Sequence, residues 1–112
     1  MFAAVVKGLM QMQILEMPSF TLKQGVSEQK MLQAHAKFNI EFMKKQEGYV
    51  SHKLVKQGDV YFDIAVWSSE KTKNKAFKDI YNSSATIEYV DLIDSVADDE
   101  IPLFSVLKDY DC

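Results

Sequence analysis

The stretch Asp59–Trp67, reading Asp-Val-Tyr-Phe-Asp-Ile-Ala-Val-Trp, constrains the fold more than any other part of the chain. Its β-branched and aromatic residues predict a β-strand. Successive strand side chains point to opposite faces. Val60, Phe62, Ile64 and Val66 therefore share one face, and Tyr61, Asp63, Ala65 and Trp67 share the other. The first face is wholly apolar, while the second mixes two aromatic rings with a methyl group and a carboxylate. Such a strand needs cover on both sides and belongs in the middle of its sheet. One layer of helices covers only one face, which leaves the other for a second copy of the chain.

The flanking segments supply the rest of that sheet. Ile14–Leu22 predicts a first strand, with Pro18 marking an edge, a bulge or a bend. Gly25 marks the following turn. Ser27 is placed to cap a helix, with Glu28 in its first turn. That helix is expected to run to about Gln46, with Gly48 just beyond it. At 100° per residue its inward stripe is Met31, Leu32, His35, Phe38, Phe42 and Met43, with Asn39 and Gln46 as further polar members. Tyr49–Lys56 predicts a second strand, joined through Gln57-Gly58 to Asp59–Trp67 as a hairpin. Ser68 or Ser69 can cap a helix over Glu70–Tyr81, in which Ala76, Phe77, Ile80 and Tyr81 recur at helical spacing. Lys71, Lys73, Lys75 and Lys78 read as its solvated face. Asn82–Ser84 interrupts the helical region, which resumes over Ala85–Val96 with Ile87, Val90 and Ile93 on one side. Asp98–Glu100 reads as an acidic loop and Pro102–Lys108 as the last strand.

The order β-α-β-β-α-β is the split βαβ, ferredoxin-like arrangement of the α+β class: a four-stranded antiparallel sheet with helices on one face. At 112 residues the chain makes one domain. A net charge of −3 gives no electrostatic reason to expect nucleic acid. No stretch is long enough to span a membrane, and Phe2–Val6 makes a poor signal peptide. The lone Cys112 allows no internal disulfide, which points to a reducing, cytoplasmic setting. Residues 1–11 read either as a leader, with Met10 and Met12 as alternative starts, or as an apolar arm that packs on a partner.

The run Phe20–Leu22, Gly25-Val26-Ser27, the helix to Phe42 and Gln46, and Gly48-Tyr49 resembles the first half of a known family. Asp63, Val66-Trp67-Ser68-Ser69-Glu70, Ala76-Phe77 and Ile93-Asp94 resemble its second half. This family is the antibiotic-biosynthesis-monooxygenase-like branch of the dimeric α+β barrel superfamily. The resemblance covers about residues 14–107 and implies a ferredoxin-like homodimer whose two sheets close into a barrel. It does not imply one activity, because members include cofactor-independent oxygenases, haem-degrading enzymes and isomerases. Trp67 and Phe77 are similar to positions of the haem-degrading members. Those members also carry a Trp and a His on the helix after Trp67 and an Asn on the first strand. Here that helix has no His, and Ile14–Leu22 has no Asn, so haem degradation is not expected.

His35 is the main chemical candidate, since an imidazole can serve as general base at neutral pH. Asn39 lies one turn further along the same face and can orient a substrate or bind an oxyanion. Phe38, Phe42, Asp63, Trp67, Phe77 and Tyr81 are the candidate ligand-binding residues. They surround a pocket expected between the two helices and the sheet, with His35 and Asn39 at its polar end. Phe42 and Trp67 equally suit ordinary core packing. Asp63 needs a partner such as His35, Lys53 or a backbone N–H. His52 is expected to be exposed or at an interface. Two histidines and a terminal cysteine make a metal centre improbable, and no cofactor is called for. The residues favour a homodimer that binds a small, mainly apolar molecule, an acyl chain or an aromatic ring, without chemistry. The alternative is a cofactor-independent monooxygenase or isomerase with His35 as base.

Overall fold

The computed structural model describes residues 12–96 and 101–111. The readings of residues 1–11, Asp98–Glu100 and Cys112 lie outside these residues. The first predicted strand forms in two pieces, β1 (Ile14–Glu16) and β2 (Ser19–Leu22), parted at Met17-Pro18. Pro18 has no N–H to give a ladder, but its carbonyl accepts from Asp63 N at 2.9 Å. Helix α1 (Glu28–Glu41) follows, and Ser27 caps it by accepting from Lys30 N. Strands β3 (Tyr49–Gln57) and β4 (Val60–Trp67) form the hairpin. Gln57 pairs with Val60, so the two-residue turn is Gly58-Asp59. Gly58 has φ +60° and, among the described residues, only glycines have positive φ, which fits a type II′ turn with glycine first. Helix α2 (Glu70–Asp79) starts at a capping box between Ser69 and Thr72, and α3 (Ser84–Val90), β5 (Ile93–Val96) and β6 (Leu103–Ser105) complete the chain.

Strand β4 is central. Its one edge carries β3, and its other edge carries β1 near Trp67 and β2 near Tyr61. Beyond these, β6 pairs with β1 and β5 with β2. All pairings are antiparallel, and counting β1 with β2 and β5 with β6 gives the ferredoxin-like order. The alternation along β4 settles the facing of the sheet. Tyr61, Asp63, Ala65 and Trp67 are buried under the helices, while Val60, Phe62, Ile64 and Val66 are only half-buried on the outer face. The core lies between the first set and Met31, Phe38, Phe42, Met43, Ala76, Tyr89 and Leu92.

Several expectations are corrected. The helical region does not continue to Val96. It ends at Val90, and Ile93 pairs with Leu22 as part of β5. A short amphipathic helix and a short strand look alike when the apolar run is this brief. The last strand is shorter than Pro102–Lys108, with only Leu103–Ser105 finding a partner in β1. Helix α1 ends at Glu41, and a 3₁₀ turn over Met43–Lys45 replaces its expected last turn. Gly48 follows it with φ +84°, and a Cβ there would overlap the Thr72 side chain at the start of α2. Leu32 lies off the inward stripe and is 47% exposed. Lys73 is no part of a solvated face. It is buried, with its ammonium 5.0 Å from the centre of the Phe77 ring, where the ring face offsets its lost hydration.

Candidate active site

The site forms where α1, α3 and the hairpin converge on Asp63. Its carboxylate is buried on the mixed face of β4 and collects three side-chain donors. His52 Nε2 lies 2.5 Å from Oδ1 and His35 Nε2 lies 3.2 Å from the same oxygen. Tyr89 donates its hydroxyl to Oδ2 at 2.9 Å. Asn39 stands behind His52, with Oδ1 2.9 Å from Nδ1. With the amide turned this way Nδ1 donates to Asn39, and with the amide reversed the NH₂ of Asn39 donates to Nδ1.

Aromatic packing fixes the network. The His35 and His52 ring centroids are 4.6 Å apart, Tyr89 meets His35 edge-on at 5.2 Å, and Phe38 stacks on Tyr89 at 5.1 Å. Burial alone would push the Asp63 carboxyl up. The hydrogen bonds and charge of the two imidazoles overcome it and hold the carboxyl well below the usual carboxylate range. The Tyr89 phenol moves up, first through burial and then through the adjacent Asp63 charge, so it stays a donor.

A cavity of about 290 Å³ opens beside this network. His52, Asp63 and Tyr89 mark its polar end, and Phe20, Phe38, Phe77, Ile80, Ile93 and neighbouring residues form its mainly apolar wall. Glu16 and Thr86 also line it. Of the residues singled out in the sequence, Phe38, Asp63, Phe77 and Tyr81 line the cavity, Tyr81 from an exposed position at its rim. Phe42 and Trp67 are packed in the core instead, Trp67 with no exposed surface. His35 and Asn39 stand behind the cavity wall and reach it through Asp63 and His52. His52 is expected from the sequence to be exposed or at an interface, whereas its side chain is almost wholly buried within the chain. Counting back from the hairpin turn would have found it, since Gln57 opposite Val60 places His52 opposite Ala65, on the face of Asp63.

The sequence count of metal ligands also passed over Asp63. His35, His52 and Asp63 each offer a ligand atom, all within 4.8 Å of one another. Metal–ligand bonds of about 2.1 Å place neighbouring donors roughly 3 Å apart or more. The 2.5 Å contact between His52 and Asp63 is shorter, the separation of a hydrogen bond rather than of two ligands on one ion.

The fold and this cavity define an α+β, ferredoxin-like protein with an ionised carboxylate at the end of an apolar pocket. No family model matches the sequence, and neither does any curated protein. Solved structures do match the fold. SnoaB, a cofactor-independent oxygenase from Streptomyces nogalater, aligns with TM-score 0.70 at 20% identity, over 88% of this chain and 97% of that one. A Caulobacter crescentus protein proposed to be an antibiotic biosynthesis monooxygenase gives TM-score 0.68 at 11% identity, over 88% and 93%. MupZ from Pseudomonas fluorescens gives 0.63 at 17%, over 86% and 70%. The chain thus has the fold of the antibiotic-biosynthesis-monooxygenase-like proteins. Among the described residues, no helix is long and apolar enough to cross a membrane.

Proposed function

We propose that this protein is a homodimeric, cofactor-independent monooxygenase of the antibiotic-biosynthesis-monooxygenase type, acting on a small aromatic molecule with an acidic O–H or C–H. One observation carries the reading: the Asp63 carboxylate, backed by His52 and His35, ends a cavity that is otherwise mainly apolar. A carboxylate facing the ligand accepts its proton, and an imidazole behind it stores that proton. Proton loss leaves an electron-rich carbanion or phenolate, which can pass electrons to dioxygen without a cofactor. A C–O bond forms to give a hydroperoxide. Loss of water then leaves a carbonyl, so a CH₂ and O₂ become C=O and H₂O. The apolar wall binds the ring system and keeps bulk water from the reacting carbon. Val60, Phe62, Ile64 and Val66, half-buried on the outer face of the sheet, suit a second copy of the chain.

The test is oxygen uptake with an anthrone-type phenol. Uptake by the wild type that falls at least a hundredfold in Asp63→Asn and His52→Ala supports this reading. Retained binding of the phenol with no uptake supports binding without chemistry. That second reading is favoured by the satisfied state of Asp63, both of whose oxygens already have donors. A monomer in light scattering at micromolar concentration would count against the dimer.

A further inference from the structure

Two residues that line the cavity, Glu16 and Thr86, each carry a buried polar atom that the network around Asp63 does not reach. Glu16 is 5% exposed, and its Oε1 accepts from Trp67 Nε1 at 2.9 Å. Its Oε2 is buried and has no protein partner, and the same is true of Thr86 Oγ1 on α3, whose residue is 1% exposed. Both residues line the cavity. Buried polar atoms are nearly always satisfied, so two orphans in one cavity mark what its occupant should supply. Glu16 pairs with Ala65 across β1 and β4, which makes it a diagonal neighbour of Asp63 on the same face. Such positions lie about 7–8 Å apart, the scale of a fused aromatic ring pair.

We infer that Glu16 and Thr86 form a second recognition point in the cavity, which binds a hydroxyl group on the ligand remote from the one held at Asp63. A hydroxyl is the substituent with the chemistry for both atoms, since it can donate to Glu16 Oε2 and accept from the Thr86 hydroxyl. The ligand class is then a flat apolar molecule with a hydroxyl towards each polar end. Burial pushes the Glu16 carboxyl up, which agrees with a carboxylate that lacks donors until a ligand arrives. The Trp67 N–H and, less strongly, the charge of Lys73 oppose that rise.

This inference rests on the cavity being the ligand site, and the test separates the two. Binding of 2-naphthol, of the dihydroxynaphthalene isomers and of their monomethyl ethers is measured by calorimetry on wild type, Glu16→Gln and Thr86→Val. At least one dihydroxy isomer is expected to bind tenfold or more tightly than 2-naphthol, and its methyl ether to lose that gain. Thr86→Val should erase the gain of the dihydroxy isomer over 2-naphthol when both are measured on that variant. Glu16→Gln keeps a carbonyl for Trp67 but turns an NH₂ towards the cavity, and should shift preference from hydroxyl to methyl ether. Thermal melting checks that both variants fold. If 2-naphthol binds but the second hydroxyl adds nothing, the orphan atoms serve water only and the inference is overturned while the cavity reading stands. If none of these compounds binds the wild type, both are overturned.

Discussion

Asp63 and Glu16 are two carboxyl groups buried on the same face of one sheet, and the protein treats them in opposite ways. Asp63 receives two imidazoles and a phenol, while Glu16 receives one indole N–H. The first is therefore held ionised far into acid, and the second is pushed towards its neutral form. Burial is similar for both, so depth does not decide charge. The count and kind of donors do. When neighbouring carboxyls are driven apart in this way, they can take different tasks, one as an ionised base and the other as a hydrogen-bonding contact.

Four experiments break or sharpen that contrast. The largest effect is expected from Asp63→Ala. It strands His35, His52 and Tyr89 around a missing charge and should cost about 3–5 kcal/mol in urea unfolding, as removal of one partner from a buried ion pair usually does. A loss below 1 kcal/mol would mean that the network contributes little to the fold. Tyr89→Phe removes a single donor to a charged acceptor and should cost about 1.5–3 kcal/mol by the same measurement. Asn39→Leu leaves His52 Nδ1 without its amide partner. It should weaken ligand binding by about 1–3 kcal/mol through His52, with the oligomeric state in light scattering unchanged. Glu16→Gln keeps the acceptor for Trp67 and should lie within about 1 kcal/mol of wild type near pH 7.

The pH dependence of these variants carries opposite signs. The Asp63 carboxyl is depressed in the folded state. Its contribution is complete above the unfolded carboxylate range and is lost as pH falls through the folded value, in strong acid. Asp63→Asn should therefore compare worst with wild type near neutral pH and least badly in strong acid. The Glu16 carboxyl is raised. Its contribution is complete below the unfolded range and is lost as pH rises through that range to the folded value. Glu16→Gln should compare better with wild type at pH 7 than at pH 4. Melting curves at pH 7, at pH 4 and in strong acid decide this, and parallel behaviour of the two variants across that range would sink the comparison.

The parts of this structure legible in the sequence were those fixed by neighbours in the chain. Ser27 and the Ser69 region announce helix starts because a cap acts over three residues. Pro18 announces a break because it lacks an N–H, and the alternation of β4 announces two unlike faces. What escaped depends on pairing. The length of β5 is set by its contact with β2, which no local pattern encodes in Ile93–Val96. His35 and Asn39 carry the correct helical spacing for one stripe, but which group stands between them and the cavity depends on β3. The β3–β4 register shifts between Tyr49 and Ser51, so alternation counted from the start of that strand misplaces His52. Glu16 gains its meaning only from Ala65 and Trp67, about fifty residues away in sequence. The cavity is assembled from side chains of this second kind.

The alternation along β4 also has an evolutionary consequence. Tyr61, Asp63, Ala65 and Trp67 answer to the core and its cavity, and Val60, Phe62, Ile64 and Val66 answer to whatever covers the outer face. Adjacent codons should thus be under unlike selection. A lineage can change one set to retune ligand preference while the other drifts only among apolar residues, and neither change need await the other. Insertion of a single residue has no such freedom, because it would exchange the two sets at once. Descendants of this chain should therefore diverge along β4 by substitution and hold its length constant.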